Sequence, residues 1–390
     1  MFSDRTNWKL TRNRLTEALE EVRSSGARVL DLTISNPTRA GLRYDETPIL
    51  QSLASPRAMD YDPQPKGLPS ARAAVAAYYQ TQHGIHSLDP ERLILTTSTS
   101  EGYSFVFRLL CNPGDELLVP KPSYPLFEFL ADLQDVKLVP YPLLYDHGWQ
   151  MDFPSLQKAV RERTRGFVVV HPNNPTGSYV HPQEQEALNR FCRKHGLALI
   201  ADEVFLDYDH NRATQRSFVA NQDVLTFTLS GVSKISALPQ MKVAWIATSG
   251  PTAEVEAAQA RLEVIADTYL SMNAPIQWAT PALLEQRKSI QQQLLERVLG
   301  NLAELDRQLA AQKTCQRLSV EGGWYAVLRV PVTQTDEELA VELLRRKFVL
   351  VHPGHFYDFP SDGYLVLSLI TPRDEFAEGI KRLLEVIDRD

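Results

Sequence analysis

Three short segments of this 390-residue chain combine residue types that can do covalent chemistry together: HPNNPTG at 171–177, ADEVFLDY at 201–208 and SGVSK at 230–234. Lys234 offers an amine that can condense with a carbonyl, and the same amine, once released, can carry a proton. Asp202 offers a carboxylate able to keep a neighbouring nitrogen protonated, and Asn174 offers an amide to an oxygen. Taken singly, each has a plainer explanation. NNPTG is a good turn, an aspartate behind a buried strand is a common helix cap, and a lysine in a loop is usually a solvated charge.

The elements that must position them change the odds. Strands read at Leu93–Thr96, Leu117–Val119, Lys137–Tyr141, Phe167–Val170, Ala198–Ala201 and Val224–Thr228, each bounded by turn residues. Amphipathic stretches lie between them, such as Gln183–His195, which closes at Gly196. This alternation predicts an α/β fold, a mainly parallel sheet flanked by helices. All three segments then sit at the C-terminal edges of strands in one sheet, where open α/β sheets hold ligands. An amine, a carboxylate and an amide converging there meet the needs of pyridoxal phosphate. The lysine would form the Schiff base, the aspartate would keep the pyridine nitrogen protonated, and the asparagine would hydrogen-bond the phenolic oxygen.

The two ends of the chain read differently. Arg12–Ser24 predicts a helix closed by Gly26, and a long helical run extends from about residue 282 to Ala311. Strands near Trp324–Leu328 and Tyr364–Ser368 follow, with helices at Asp336–Arg346 and Arg373–Asp388. The expectation is a smaller α+β domain built from residues 1–35 and 282–390, beside a large cofactor-binding domain at 36–281.

With these motifs in order, the chain resembles the class I/II aminotransferases, fold-type I pyridoxal-phosphate enzymes. The resemblance covers nearly its whole length. It implies the Schiff-base role for Lys234, the ring-nitrogen role for Asp202 and the ring-oxygen role for Asn174. Tyr124 in PKPSYPLF is similar to the aromatic residue that stacks on the cofactor ring. Ser98, Thr99 and Ser100 resemble the phosphate-cradling turn, which fits a helix start whose free N–H groups attract an anion. Ser230 and Lys242 correspond to further phosphate contacts. Tyr61 in YDPQPKGLPSAR looks like the tyrosine that reaches the neighbouring subunit's cofactor, so the resemblance implies a homodimer with shared active sites. The implied reaction moves an amino group from an amino acid or related amine to a 2-oxo acid through a Lys234 aldimine.

Four departures bear on that reading. Thr99 stands where the phosphate turn usually has glycine. Phe205 replaces a tyrosine that would hydrogen-bond the ring oxygen, which leaves Asn174 as the main donor. Lys242 replaces an arginine, keeping the charge but losing the two-pronged fork. Val366 in GYLVLSLITP takes the place of the arginine that grips a substrate α-carboxylate, a charge-assisted pair of about 1.5–3 kcal/mol. Arg39, Arg43 and Arg373 are the candidate substitutes, each equally readable as surface charge. The alternative is a lyase, cyclase or decarboxylase acting on an atypical amino substrate. A cofactor-binding scaffold with little catalysis is a third reading, against which the retained Lys234 argues.

Composition excludes other classes. Hydrophobic residues make up 43% and charged residues 23%, with a formal charge of −7 and no Lys/Arg-rich run, which argues against a nucleic-acid partner. The polar start MFSDRTNWKL predicts no signal peptide, and the longest apolar runs are strand-length, so no membrane is expected. Cys111, Cys192 and Cys315 lack metal spacing, and His352 with His355 finds no third ligand, so reduced thiols, no metal and a cytoplasmic address are expected.

Overall fold

The computed structural model describes every residue except 9, 126, 212–215 and 389–390. A short strand, β1 (Leu30–Asp31), precedes eight that build the main sheet: β2 (Leu93–Thr96), β3 (Glu116–Lys121), β4 (Lys137–Tyr145), β5 (Trp149–Met151), β6 (Thr164–Val170), β7 (Ala198–Asp202), β8 (Thr226–Gly231) and β9 (Ala244–Ser249). Their order is β2-β9-β8-β7-β6-β3-β4-β5. Within it β8, β7, β6, β3 and β4 run parallel, while β9 is antiparallel to both β8 and β2, and β5 to β4. Strands β7, β8 and β9 are buried along their whole length, and β6 at all but one position. Such strands read as apolar runs because helices cover both faces.

The last third supplies β10 (Gln316–Arg317), β11 (Tyr325–Arg329), β12 (Val349–Leu350), β13 (His352–Pro353) and β14 (Tyr364–Ser368). Four of them form an antiparallel sheet in the order β10-β11-β14-β13, while β12 pairs in parallel with β1. One apolar cluster joins Leu15, Ala18, Val22 and Leu32 of the N-terminal segment to Leu294, Val298, Leu344, Phe376 and Leu383. The N-terminal helix, Arg14–Ser24, opens on Asn13, whose side chain accepts from Thr16 N.

Two expectations need adjusting. The long helical run begins earlier, at Ala274, and is divided at Gln286 into helices Ala274–Glu285 and Arg287–Leu309. Strand β9, absent from the pattern reading, separates β2 from β8. Because β9 reverses direction on both sides, β2 still points the same way as β8. The C-terminal ends of β2, β6, β7 and β8 therefore open on one edge.

Candidate active site

On that edge lies a cavity of about 270 Å³. Thr99, Ser100, Tyr124, Asn174, Asp202 and Lys234 all line it. Of the other residues singled out in the sequence, Ser98 caps the helix Thr99–Leu110 by accepting from Glu101 N at 3.2 Å. The helix thus starts at the cavity wall, with its first-turn N–H groups in the position that binds anions. Gly102 lets this helix sit close to the sheet, since a Cβ there would fall 2.8 Å from Leu229 Cδ2.

The turn that carries Asn174 is seated by Gly177. Its φ of +70° suits glycine, and a Cβ would lie 2.5 Å from the Gly322 carbonyl oxygen. Gly322 N in turn donates to Gly177 O at 2.9 Å, which ties the Asn174 turn to the start of β11.

Asp202, the last residue of β7, is 8% exposed. Its Oδ2 accepts from Tyr103 OH at 2.9 Å and its Oδ1 from Val204 N at 3.1 Å. Burial pushes the carboxyl up to about 6, against the opposing pull of those two donors and of Lys234. Lys234 lies in the short helix Val232–Ile235 that follows β8. Burial brings its ammonium down to about 8, while the Asp202 charge opposes the fall. Its Nζ rests 4.8 Å from the centre of the Trp324 ring and 5.3 Å from that of Phe205. The amine therefore lies over two aromatic rings and within the field of a carboxylate.

The remaining sequence candidates stand elsewhere. Ser230 is buried with its hydroxyl donating to Glu203 O at 3.3 Å, and the neighbouring Ser233 lines the cavity instead. Lys242 is exposed with φ +53°. Tyr61 is 81% exposed and lines a separate cavity with Arg57, Asp60 and Trp278. Arg39 and Arg43 are exposed. Arg373 donates to Glu296 O at 2.9 Å, on the helix Arg287–Leu309. Val366 is buried among apolar side chains, paired across the sheet with Val327 and His352. Among the described lining residues Lys234 is the one cation and no arginine is present.

Residues that the sequence reading did not single out complete the wall. Tyr103 holds Asp202; its position four residues after Thr99 places both on one helix face, a signal present in the spacing. Ser35 and Tyr325 reach the cavity from the N-terminal segment and from β11. Trp324 directly precedes β11, and only packing brings its ring to Lys234.

Residues 51–383 match the family described as aminotransferase class I and II. The chain belongs to this family. It is 30% identical over 374 residues to an alanine aminotransferase of Mycobacterium tuberculosis, covering 92% of this chain and 86% of that one. It is 28% identical over 378 residues to a glutamate-pyruvate aminotransferase of Haemophilus influenzae, covering 94% and 92%. An alanine aminotransferase from Pyrococcus furiosus shares the fold with a TM-score of 0.91 at 21% identity, over 100% of both chains. An Escherichia coli aminotransferase does so with 0.88 at 24%, over 100% of this chain and 98% of that one. The protein is thus a pyridoxal-phosphate-dependent aminotransferase of fold type I.

The cavity fits that cofactor. Asn174 lines it with a side chain whose NH2 can donate to a ring oxygen. The helix start at Thr99 and Ser100 suits a phosphate, Asp202 suits a cationic ring nitrogen, and Lys234 suits a carbonyl carbon. Covalent attachment needs a neutral amine, so it should follow the Lys234 titration. The rate at which pyridoxal phosphate attaches to apo-protein is expected to rise with pH up to about 8 and then level off. Stopped-flow absorbance across a pH series checks this. A rise that continues to the ordinary lysine value near 10 would show that burial does not act on this amine.

Proposed function

We propose that the protein catalyses transamination between a small α-amino acid and a 2-oxo acid. In this reading Lys234 is the attachment point and proton carrier, Asp202 the partner of the ring nitrogen, and Asn174 the donor to the ring oxygen. Tyr124 covers the ring, and Ser98, Thr99, Ser100 and Ser233 hold the phosphate. Bound there, pyridoxal phosphate supplies the electron sink that makes the substrate's Cα–H acidic. The observation that carries the proposal is the meeting of Lys234, Asp202 and Asn174 in the wall of one cavity.

The exposure of Tyr61 supports a homodimer in which this residue completes an active site from across the interface. Among the described residues no helix is long and apolar enough to cross a membrane. We infer a cytoplasmic enzyme, from its scattered unpaired cysteines.

The names of the relatives make alanine with 2-oxoglutarate the first pair to test. In this reading neutral groups such as the Ser35 hydroxyl, which lines the cavity, serve the carboxylate in place of an arginine at 366. Losing about 1.5–3 kcal/mol there should raise KM about 10- to 150-fold over that of an arginine-bearing relative. The purified protein is expected to show a visible cofactor band that alanine bleaches and 2-oxoglutarate restores. Bleaching without restoration, with ammonia or carbon dioxide released, would replace transamination by elimination or decarboxylation, the reading that Val366 favours.

A further inference from the structure

The short helix that carries Lys234 and the turn that follows it are held from outside by three side chains. Tyr208 OH donates to the Lys234 carbonyl at 2.6 Å, Gln291 Nε2 to the Ile235 carbonyl at 2.9 Å, and Tyr44 OH to the Ala237 carbonyl at 2.8 Å. Gln291 differs from the two tyrosines because its own orientation is dictated by a buried charge. The second hydrogen of Nε2 goes to Asp207 Oδ2 at 2.6 Å. An amide nitrogen has two hydrogens, both are spent on acceptors, and the alternative amide rotamer would set its oxygen against a carboxylate and a carbonyl.

Asp207 is itself pinned. Its side chain is 1% exposed, and its Oδ1 accepts from Tyr78 OH at 2.9 Å and lies 3.0 Å from His83 Nε2. The Arg287 guanidinium, 5.3 Å over the Tyr78 ring, backs the cluster from the start of the Gln291 helix. That helix, Arg287–Leu309, contributes Ile290, Leu294, Val298 and Leu305 to the core shared with the C-terminal third. Gln291 is therefore the point where the helix of that core grips the backbone beside the reactive lysine.

We propose that Gln291, oriented by Asp207, is a positioning residue that sets where the Lys234 amine stands relative to Asp202 and Asn174. The proposal rests on the reading of Lys234 as the attachment and proton-carrying residue. A buried charge is a costly way to hold a loop, and what it secures here is direction: two hydrogen bonds on one nitrogen leave the Ile235 carbonyl a single seat. Displacing an amine by about 1 Å in a proton transfer costs up to 100-fold in rate, whereas substrate binding, made by other walls, is spared.

The test is Gln291→Met in the holoenzyme, a change that keeps length and removes both hydrogen bonds. With alanine and 2-oxoglutarate, kcat is expected to fall about 10- to 100-fold with KM within about threefold. Cofactor content and melting temperature of the holoenzyme should stay near wild type. The exchange Asp207→Glu with Gln291→Asn moves one methylene across the pair and should recover most of the loss. An unchanged kcat, or a loss no greater than the loss of bound cofactor, would overturn the proposal. Should Gln291→Met not fold, Asp207→Ala carries the same readouts, since it removes the acceptor that orients Gln291 Nε2. A wild type without a cofactor band would overturn the reading of Lys234 itself, whereas a normal wild type matched by Gln291→Met overturns the brace alone.

Discussion

Lys234→Ala is expected to remove the visible band of the lysine-bound cofactor and to lower kcat by at least about 10²- to 10⁴-fold, the range associated with a positioned proton carrier. Both effects follow from one amine. It is half-buried, its ammonium is brought down to about 8, and it lies over the Phe205 and Trp324 rings within the field of Asp202. Alanine leaves that space without a base, and no other cation lines the described wall of the cavity. Absorbance spectra and steady-state rates of the purified variant check the expectation. Lys242→Ala is the control, because Lys242 is exposed and absent from the cavity lining; it should keep the band. A band that survives Lys234→Ala would place the attachment on another lysine and overturn the assignment.

Much of this arrangement was legible because the decisive residues follow strands. Lys234, Asp202 and Asn174 each come just after an apolar run, and strands β6, β7 and β8 prove to be neighbours in the sheet. Turn residues and apolar runs mark such strand ends locally, without knowledge of the tertiary structure. Strand β9 was less visible because both its faces are buried, so it shows no alternation, and it lacks a motif of its own.

What the sequence could not show is where long side chains end. Arg373 is a candidate substitute for the arginine missing at 366, yet its guanidinium donates to the Glu296 carbonyl on a neighbouring helix. The family resemblance implies a phosphate contact at Ser230, but as a residue of β8 it turns its hydroxyl to the Glu203 carbonyl. Trp324, 90 positions from Lys234, meets it through the packing of β11 against the main sheet's edge. The Gln291–Asp207 contact spans 84 positions and joins two elements that carry no shared pattern. Local spacing carries information about which face a residue occupies; it carries none about which distant element will lie opposite.

The same logic ranks Asp202→Asn as the second large effect. The carboxylate sits at the end of a buried strand, 8% exposed, where two opposite charges interact at an effective dielectric constant near 20. At about 4 Å that is worth about 4 kcal/mol, or about three decades in rate if the charge is needed in the transition state. Asparagine keeps the shape and can still accept from Tyr103 OH, so the fold and the attachment to Lys234 should survive. Turnover is expected to fall about 10³-fold while the visible band still forms. Tyr103→Phe, which removes one of two donors to Asp202 and leaves its charge, should cost only about tenfold. The two variants together separate charge from orientation. A loss under tenfold for Asp202→Asn would mean that the ring nitrogen needs no anionic partner here, and comparable losses in both would mean that the hydrogen bond, rather than the charge, is what Asp202 contributes.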